Sequence, residues 1–243
     1  MSDLTTIAFD ADDTLWGHTF HFNLTEEKFV NLLAEYSRSP DLRQHLHDLE
    51  IRNLAYYGFG VKGFMLSMIE TAIEVTQQRV PITIIDQILQ LGRSLQDHPI
   101  ILYPNVRDVI RTLGRKWRLL LITKGDLLDQ ERKIAQSGLG DEFDHVEIVS
   151  DKTQEVYETI FHKWADGPHR AMMVGNSARS DIIPALDAGC LAVHIPCDDD
   201  WAYEQCVLPT GNDRCFSIKT IAELPPLIDS LASRSFTDDE RGP

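Results

Sequence analysis

No apolar run in this sequence approaches the roughly 20 residues that a membrane-spanning helix needs, so no membrane partner is expected. The amino-terminal MSDLTTIAFD lacks a basic region followed by a long apolar stretch. That argues against a secretory signal peptide and makes the cytoplasm the expected location. Positive charge is scarce: 23 Lys and Arg against 38 Asp and Glu leave a net charge of -15. Such a chain is a poor general partner for nucleic acid. An anionic small molecule would need a local positive device, a metal ion or lysines placed at its site. Cysteine is sparse as well. Cys190, Cys197, Cys206 and Cys215 all lie in the last quarter without a CxxC pair, so free thiols are expected rather than a zinc site or a disulfide framework. Internal repeats and low-complexity segments are absent. Nothing in the acidic surface decides between a monomer and a homodimer.

What remains is an ordinary globular composition, 43% hydrophobic and 25% charged over 243 residues, long enough for one large domain or one domain with a sizeable insertion. Five short apolar segments read as strands: Thr5 to Asp10, Arg118 to Thr123, His145 to Ser150, Ala171 to Asn176 and Leu191 to Pro196. Most are near-continuous apolar runs, the pattern of strands buried on both faces of a parallel sheet. Helical stretches alternate with the later strands, and Gly138 and Gly189 stand where helices should end. The expected class is therefore α/β, with a Rossmann-like parallel sheet and right-handed crossovers.

More than a hundred residues separate the first two strands, and they carry helical patterns instead. In NLTEEKFVNLLAEYS, Phe29, Val30, Leu33 and Tyr36 share a face, and Asn23 stands three residues before Glu26 as a capping candidate. The expected organisation is a core domain from 1–16 and 101–234, an inserted all-helical cap domain over 17–100, and a polar, mobile tail at 235–243. Pro104 and Asn105 mark the return into a core helix.

In an open parallel sheet the ligand site lies beyond the carboxyl ends of the strands. Asp10 ends the first strand and Asp12 follows it. Thr123 ends the second, followed by Lys124 and Gly125. Lys152 comes just after the third, and the fourth runs into Gly175, Asn176 and, a turn later, Asp181. The chemistry that fits this convergence is phosphoryl transfer through a covalent aspartyl intermediate. Asp10 is the candidate nucleophile. Asp12 is placed to protonate the leaving alcohol and then to take a proton from water. Mg²⁺ would offset the repulsion between carboxylate and phosphate, with Asp10, the main-chain carbonyl of Asp12, Asn176 and Asp181 as candidate ligands. Thr123 and the amides of Lys124 and Gly125 are candidate phosphate donors, and Lys152 would neutralise charge beside the nucleophile.

These residues resemble the haloacid dehalogenase superfamily, in particular its phosphatase-type members with a helical C1 cap. FDADDTLW matches that family's DxDxT pattern with Asp10, Asp12 and Thr14. Thr123 at the end of LLLIT is the second motif, Lys152 in VSDKTQ the third, and VGNSARSDIIPALDAG, with Asn176 and Asp181, the fourth. The resemblance spans nearly the whole chain and implies a Mg²⁺-dependent hydrolase of small phosphomonoesters. Two positions depart from the family's habit. Asn176 stands where an Asp is common and should bind Mg²⁺ more weakly, and Thr153 follows Lys152 where Pro is common.

Each residue also has a blander reading. Asp13 is expected to hold the loop. Asp181 near a helix start is also an ordinary acid favoured by the helix dipole. In the cap, Lys62, set between Gly60 and Gly63, is a candidate to reach the phosphate or an acidic substrate, weighed evenly against a structural role. Tyr56 and Tyr57 are read more as interdomain packing, and His18 and Phe20 as residues near the mouth. His194 and Cys190 read as structural, and Trp201 as part of a rim. The competing functions are a 2-haloacid dehalogenase, which needs neither metal nor an acid for the leaving group and which Asp12 therefore disfavours, a phosphomutase, and a ligand-binding regulatory protein on a decayed scaffold.

Overall fold

The computed structural model describes residues 4–37, 41–198 and 201–239, the stretch 233–239 by its backbone alone. Its strands are β1 (Thr6–Phe9), β2 (Arg118–Lys124), β3 (His145–Val149), β4 (Ala171–Gly175), β5 (Leu191–His194) and β6 (Cys215–Ser217). They form one sheet in the order β3-β2-β1-β4-β5-β6, every pair parallel. The five expected strands are all present. β6 was not anticipated, because two half-buried residues and one exposed residue on the sheet's edge carry too short a pattern to read.

Alternation sends neighbouring side chains of each strand to opposite faces. Ile7 and Phe9 join Leu119, Leu121, Met172 and Val174 in one apolar cluster. Ala8, Leu120, Ile122 and Met173 join Tyr157 and Phe161 in the other. Ile7, Phe9, Leu119 and Leu121 have no exposed surface, and each such burial contributes roughly 1.5–3 kcal/mol. Helix α5 (Val106–Leu113) covers the first face; α7 (Gln154–Trp164) and the short α8 (Ile183–Asp187) cover the second. Asn105 enters α5 with a left-handed φ of 67°, and Gly138 ends α6 (Leu127–Ser137) in the same region.

Between β1 and β2 lie four helices: α1 (Thr19–Leu33), α2 (Leu42–Tyr57), α3 (Val61–Val75) and α4 (Ile82–Gln96). They pack around their own apolar cluster, with Phe29, Leu33, Leu46, Met68 and Ile88 at its centre. Helix α1 begins five residues earlier than an Asn23 cap implies, so Asn23 lies within the helix. The reason is Asp13. Its carboxylate accepts from the amides of His18 (2.7 Å) and Thr19 (3.1 Å) and from the Thr19 hydroxyl (2.5 Å), placing an anion at the helix's positive end. The segment expected to be a mobile tail begins as helix: α9 (Leu224–Asp239) continues through 239, and residues 240–243 lie outside the described part. No helix among the described residues is long and apolar enough to cross a membrane, and Cys190, Cys206 and Cys215 are free thiols.

Candidate active site

Strand order places β1 between β2 and β4, so the point where the chain's winding reverses lies beside β1. Asp10 follows β1 directly, its amide held by Val174 O at 2.9 Å. Its Oδ1 accepts from Lys152 Nζ at 2.5 Å, and the same ammonium reaches Asp181 Oδ1 at 2.7 Å. Its Oδ2 accepts from the Thr14 hydroxyl at 2.9 Å, which also lies 3.1 Å from Asn176 Oδ1. Four residues from three distant parts of the chain thus converge on the nucleophile candidate.

The carriers of these side chains are legible locally. Lys152 precedes α7, whose first turn is capped by Thr153 accepting from Val156 N. The threonine that replaces the expected proline therefore starts the helix in another way. Asp181 sits in a wide turn over Ala178–Ile182, where Ile182 N bonds back to Ser177 O. Such turns project residues off the regular helix path and recur at functional sites. Asp181 Oδ2 is fixed by Ser177 N at 3.0 Å. It can approach this closely because position 175 is glycine: a Cβ there would lie 2.3 Å from that oxygen.

Asp12 is held apart from Asp10 by a different set. Oδ1 accepts from Trp16 Nε1 at 2.8 Å, and Oδ2 from Lys133 Nζ at 2.5 Å and Gln130 Nε2 at 3.1 Å. His18 Nδ1 stands 3.6 Å from Oδ1. The two acids therefore differ electrostatically. Burial pushes Asp10 up to about 7, against the pull of Lys152. Burial alone would raise Asp12 too, but His18, Lys133 and the bonds from Lys133 and Gln130 outweigh it and hold this carboxyl well below its usual range. His18 is itself driven down to about 4 by burial, so at neutral pH Lys133 supplies the positive charge. Burial would lower Lys152, but Asp10 and Asp181 outweigh it and keep the ammonium protonated.

Thr123 and His18 line the same cavity as the two acids, together with Lys124 and Gly125. Thr123 accepts from Gln130 Nε2 and donates to no group among the described residues. The Gly125 amide is taken by Val149 O at 3.1 Å, so it is not a free phosphate donor as expected. Its φ of 146° reflects the tight exit from β2. Lys124 Nζ points to Glu204 Oε1 at 2.6 Å and lies 3.8 Å from the Phe59 ring centroid. Lys62 does not reach the phosphoryl site: it pairs with Asp126 at 2.9 Å on the surface, because Asp126, the cap of α6, offers a nearer anion. Tyr56 is 80% exposed, whereas Tyr57 lines the cavity and donates to Glu70. His194 holds Asn176 O at 2.8 Å and Cys190 is buried in the core.

Four site residues were not foreseen. Gln130 and Lys133 are polar at helical spacing on the buried face of α6, a pattern that a closer reading of that helix would have flagged. Glu204, which accepts from Lys124 and from the Ser177 and Ser180 hydroxyls, lies in a polar stretch with no local signal. Trp16 reads as core from its type alone.

Among the described residues no three His, Cys, Asp or Glu side chains cluster closely enough to hold a metal. A cation here would depend on Asn176 and a main-chain carbonyl besides Asp10 and Asp181. The donor set is nonetheless all oxygen, the kind Mg²⁺ prefers.

Known proteins resemble this chain. Residues 4–189 match the model of the haloacid dehalogenase-like hydrolases. A haloacid dehalogenase-like family hydrolase from Xanthomonas campestris is 34% identical, superposes with a TM-score of 0.85, and is covered to 95% by 97% of this chain. N-acylneuraminate-9-phosphatase of Mus musculus is 27% identical over 148 residues, 58% of this chain and 57% of its own length. Glyceraldehyde 3-phosphate phosphatase of Methanothermobacter thermautotrophicus is 30% identical over 98 residues, 37% of this chain and 43% of its own length. The chain thus spans only about half the length of the curated relatives it matches. Since the family match runs from the first strand to the turn after Asp181, over the same residues that meet around Asp10, this chain belongs to the haloacid dehalogenase-like hydrolases.

Proposed function

We propose that this protein is a Mg²⁺-dependent phosphatase that cleaves a small phosphomonoester through an aspartyl phosphate on Asp10. One observation carries the reading: two acids two residues apart line one cavity, yet one is paired with Lys152 and the other with Lys133. A dehalogenase needs only the first of them. The names of the relatives, N-acylneuraminate-9-phosphatase and glyceraldehyde 3-phosphate phosphatase, point the same way.

In the first half of the reaction a carboxylate oxygen of Asp10 attacks phosphorus, and the bond to the alcohol oxygen breaks as that oxygen takes a proton by way of Asp12. In the second half, water attacks the same phosphorus and loses its proton to Asp12, the bond to Asp10 breaks, and phosphate leaves. Asp12, an anion as it is held here, is ready for the second half. The first half requires Asp12 to take up a proton from solvent, against the stabilisation of its anion by Lys133 at 2.5 Å. Thr123, with its hydroxyl proton unengaged, suits a phosphate oxygen. Lys152 opposes the rise that burial imposes on Asp10 and so favours its charged form.

The residues fit a divalent cation. Asp10, Asp12 and Asp181 against Lys152 and Lys133 leave the cluster short of positive charge. Asp10, Asp181, the Asn176 amide oxygen and the Asp12 carbonyl would hold Mg²⁺, which when bound offsets the charge of the phosphoryl group. The test is p-nitrophenyl phosphate hydrolysis with Mg²⁺, with EDTA, and in Asp10→Asn. Metal-dependent turnover lost in that variant supports the reading. Folded protein that turns over no member of a phosphoester panel overturns it.

A further inference from the structure

The cavity that holds the two acids extends into the helices between β1 and β2, where Glu26, Glu50, Asn53, Tyr57 and Ser67 line it. Asn23 and His47 line this half as well, and the donors of Asn53, Ser67 and Tyr57 are already engaged. Asn53 Nδ2 donates to Ser67 Oγ (3.2 Å) and Glu70 (3.1 Å), the Ser67 hydroxyl to Gly63 O (2.9 Å), and the Tyr57 hydroxyl to Glu70. Among the carboxylates, Glu26 and Glu50 are left facing the cavity. Glu26 is only 5% exposed, and its Oε1 is buried with no hydrogen-bond partner. Its other oxygen is 3.5 Å from the half-exposed Arg43. Glu50 makes no hydrogen bond or ion pair among the described residues, and burial, then the charge of Glu26, push it up to about 8.

A buried carboxylate oxygen without a donor is costly, and Glu26 carries that cost at the cavity wall with Glu50 lining the same cavity. It is relieved by a ligand that brings donors and positive charge, and an ammonium offers three donors and no acceptor. A carboxylate-bearing leaving group would meet Glu26 and Glu50, with Arg43 already paired to Glu26. We propose, building on the phosphatase reading, that Glu26 and Glu50 form a subsite for an ammonium group on the alcohol portion of the phosphomonoester. The substrate class is then an amino-alcohol or amino-sugar phosphate, with the phosphoryl group at Asp10 and the amine in the helical half of the cavity.

Matched phosphoesters that differ in one group test this. Ethanolamine phosphate is compared with propyl phosphate and with phosphoglycolate, and glucosamine 6-phosphate with glucose 6-phosphate. The expected result is a kcat/KM at least about tenfold higher for the amine in at least one pair, about one charged hydrogen bond's worth. Glu50→Gln and Glu26→Gln should each erase that preference while leaving propyl phosphate or glucose 6-phosphate turnover unchanged. Two variants are used because Glu26 is buried; thermal unfolding confirms that each is folded. Equal turnover within both pairs, preference for the neutral or carboxylate member, or an amine preference that survives Glu50→Gln in folded protein overturns the subsite. Wild-type protein that hydrolyses none of the five esters nor p-nitrophenyl phosphate overturns the phosphatase reading instead.

Discussion

The Lys133 ammonium lies 2.5 Å from Asp12 Oδ2, although 121 residues separate the two in sequence. Helix α6 delivers it, together with Gln130 one turn earlier. This contact decides which protonation state Asp12 holds at rest. Replacing Lys133 by Met keeps the side chain's length and removes the charge. We expect kcat on p-nitrophenyl phosphate to fall by about 10²-fold, the lower end of a proton-transfer effect, with the acid limb of the kcat–pH profile moving upward. A loss of stability with an unmoved profile would assign Lys133 a structural role only.

Lys152 answers two buried carboxylates at once, Asp10 at 2.5 Å and Asp181 at 2.7 Å. Removing one partner of a buried ion pair typically costs about 3–5 kcal/mol, because the remaining charges are left uncompensated. Lys152→Met should show that loss in urea unfolding at pH 7. A second change, Asp181→Asn, should restore part of it by removing one of the stranded charges.

Gly175 is required by Asp181 rather than by its own backbone. Any Cβ there would press against Asp181 Oδ2 at 2.3 Å. Gly175→Ala should displace Asp181, weaken Mg²⁺ half-saturation by about tenfold or more, and leave the fold intact by circular dichroism. An unchanged Mg²⁺ dependence would remove Asp181 from the metal site.

Glu50 gives stability a pH dependence of definite sign. Its folded-state value is about 8 against 4.5 for an ordinary glutamate, so the folded protein holds a proton that the unfolded chain releases. Stability from this group is complete below about 4.5 and falls as pH rises toward 8. Glu50→Gln cannot ionise. It should unfold at a higher temperature than wild type at pH 8.5, with the difference vanishing near pH 4.5. Parallel curves across that range would show that Glu50 is solvated.

Much of this protein is legible along the chain. β1, β2 and β4 read as continuous apolar runs because both their faces are covered, and the acids at their ends read as a site because apolar runs seldom terminate in charge without a reason. Asp10, Asp12, Thr123, Lys152 and Asp181 could be placed at one edge from strand order alone. Thr153 and Asp13 are local as well, since capping acts within a few residues.

The partners of those side chains are a different matter. Lys62 and Lys133 are both lysines on helices near the cavity, and only packing sends the first to Asp126 on the surface and the second to Asp12 within. Glu204 reaches Lys124 across 80 residues, and Glu26 is left with an unpaired oxygen because Asn53, Tyr57 and Ser67 bond elsewhere. A residue's type and spacing determine which element it can occupy and which chemistry it can offer. Which charge it meets, and whether that meeting happens in water or away from it, depends on how the helices between β1 and β2 lie against the sheet. Ionisation follows from that packing, since burial and the nearest opposite charge set it. Asp10 and Asp12 show the limit most clearly: the same residue two positions apart, one pushed up to about 7 and the other held below the usual range, a distinction present only in the folded chain.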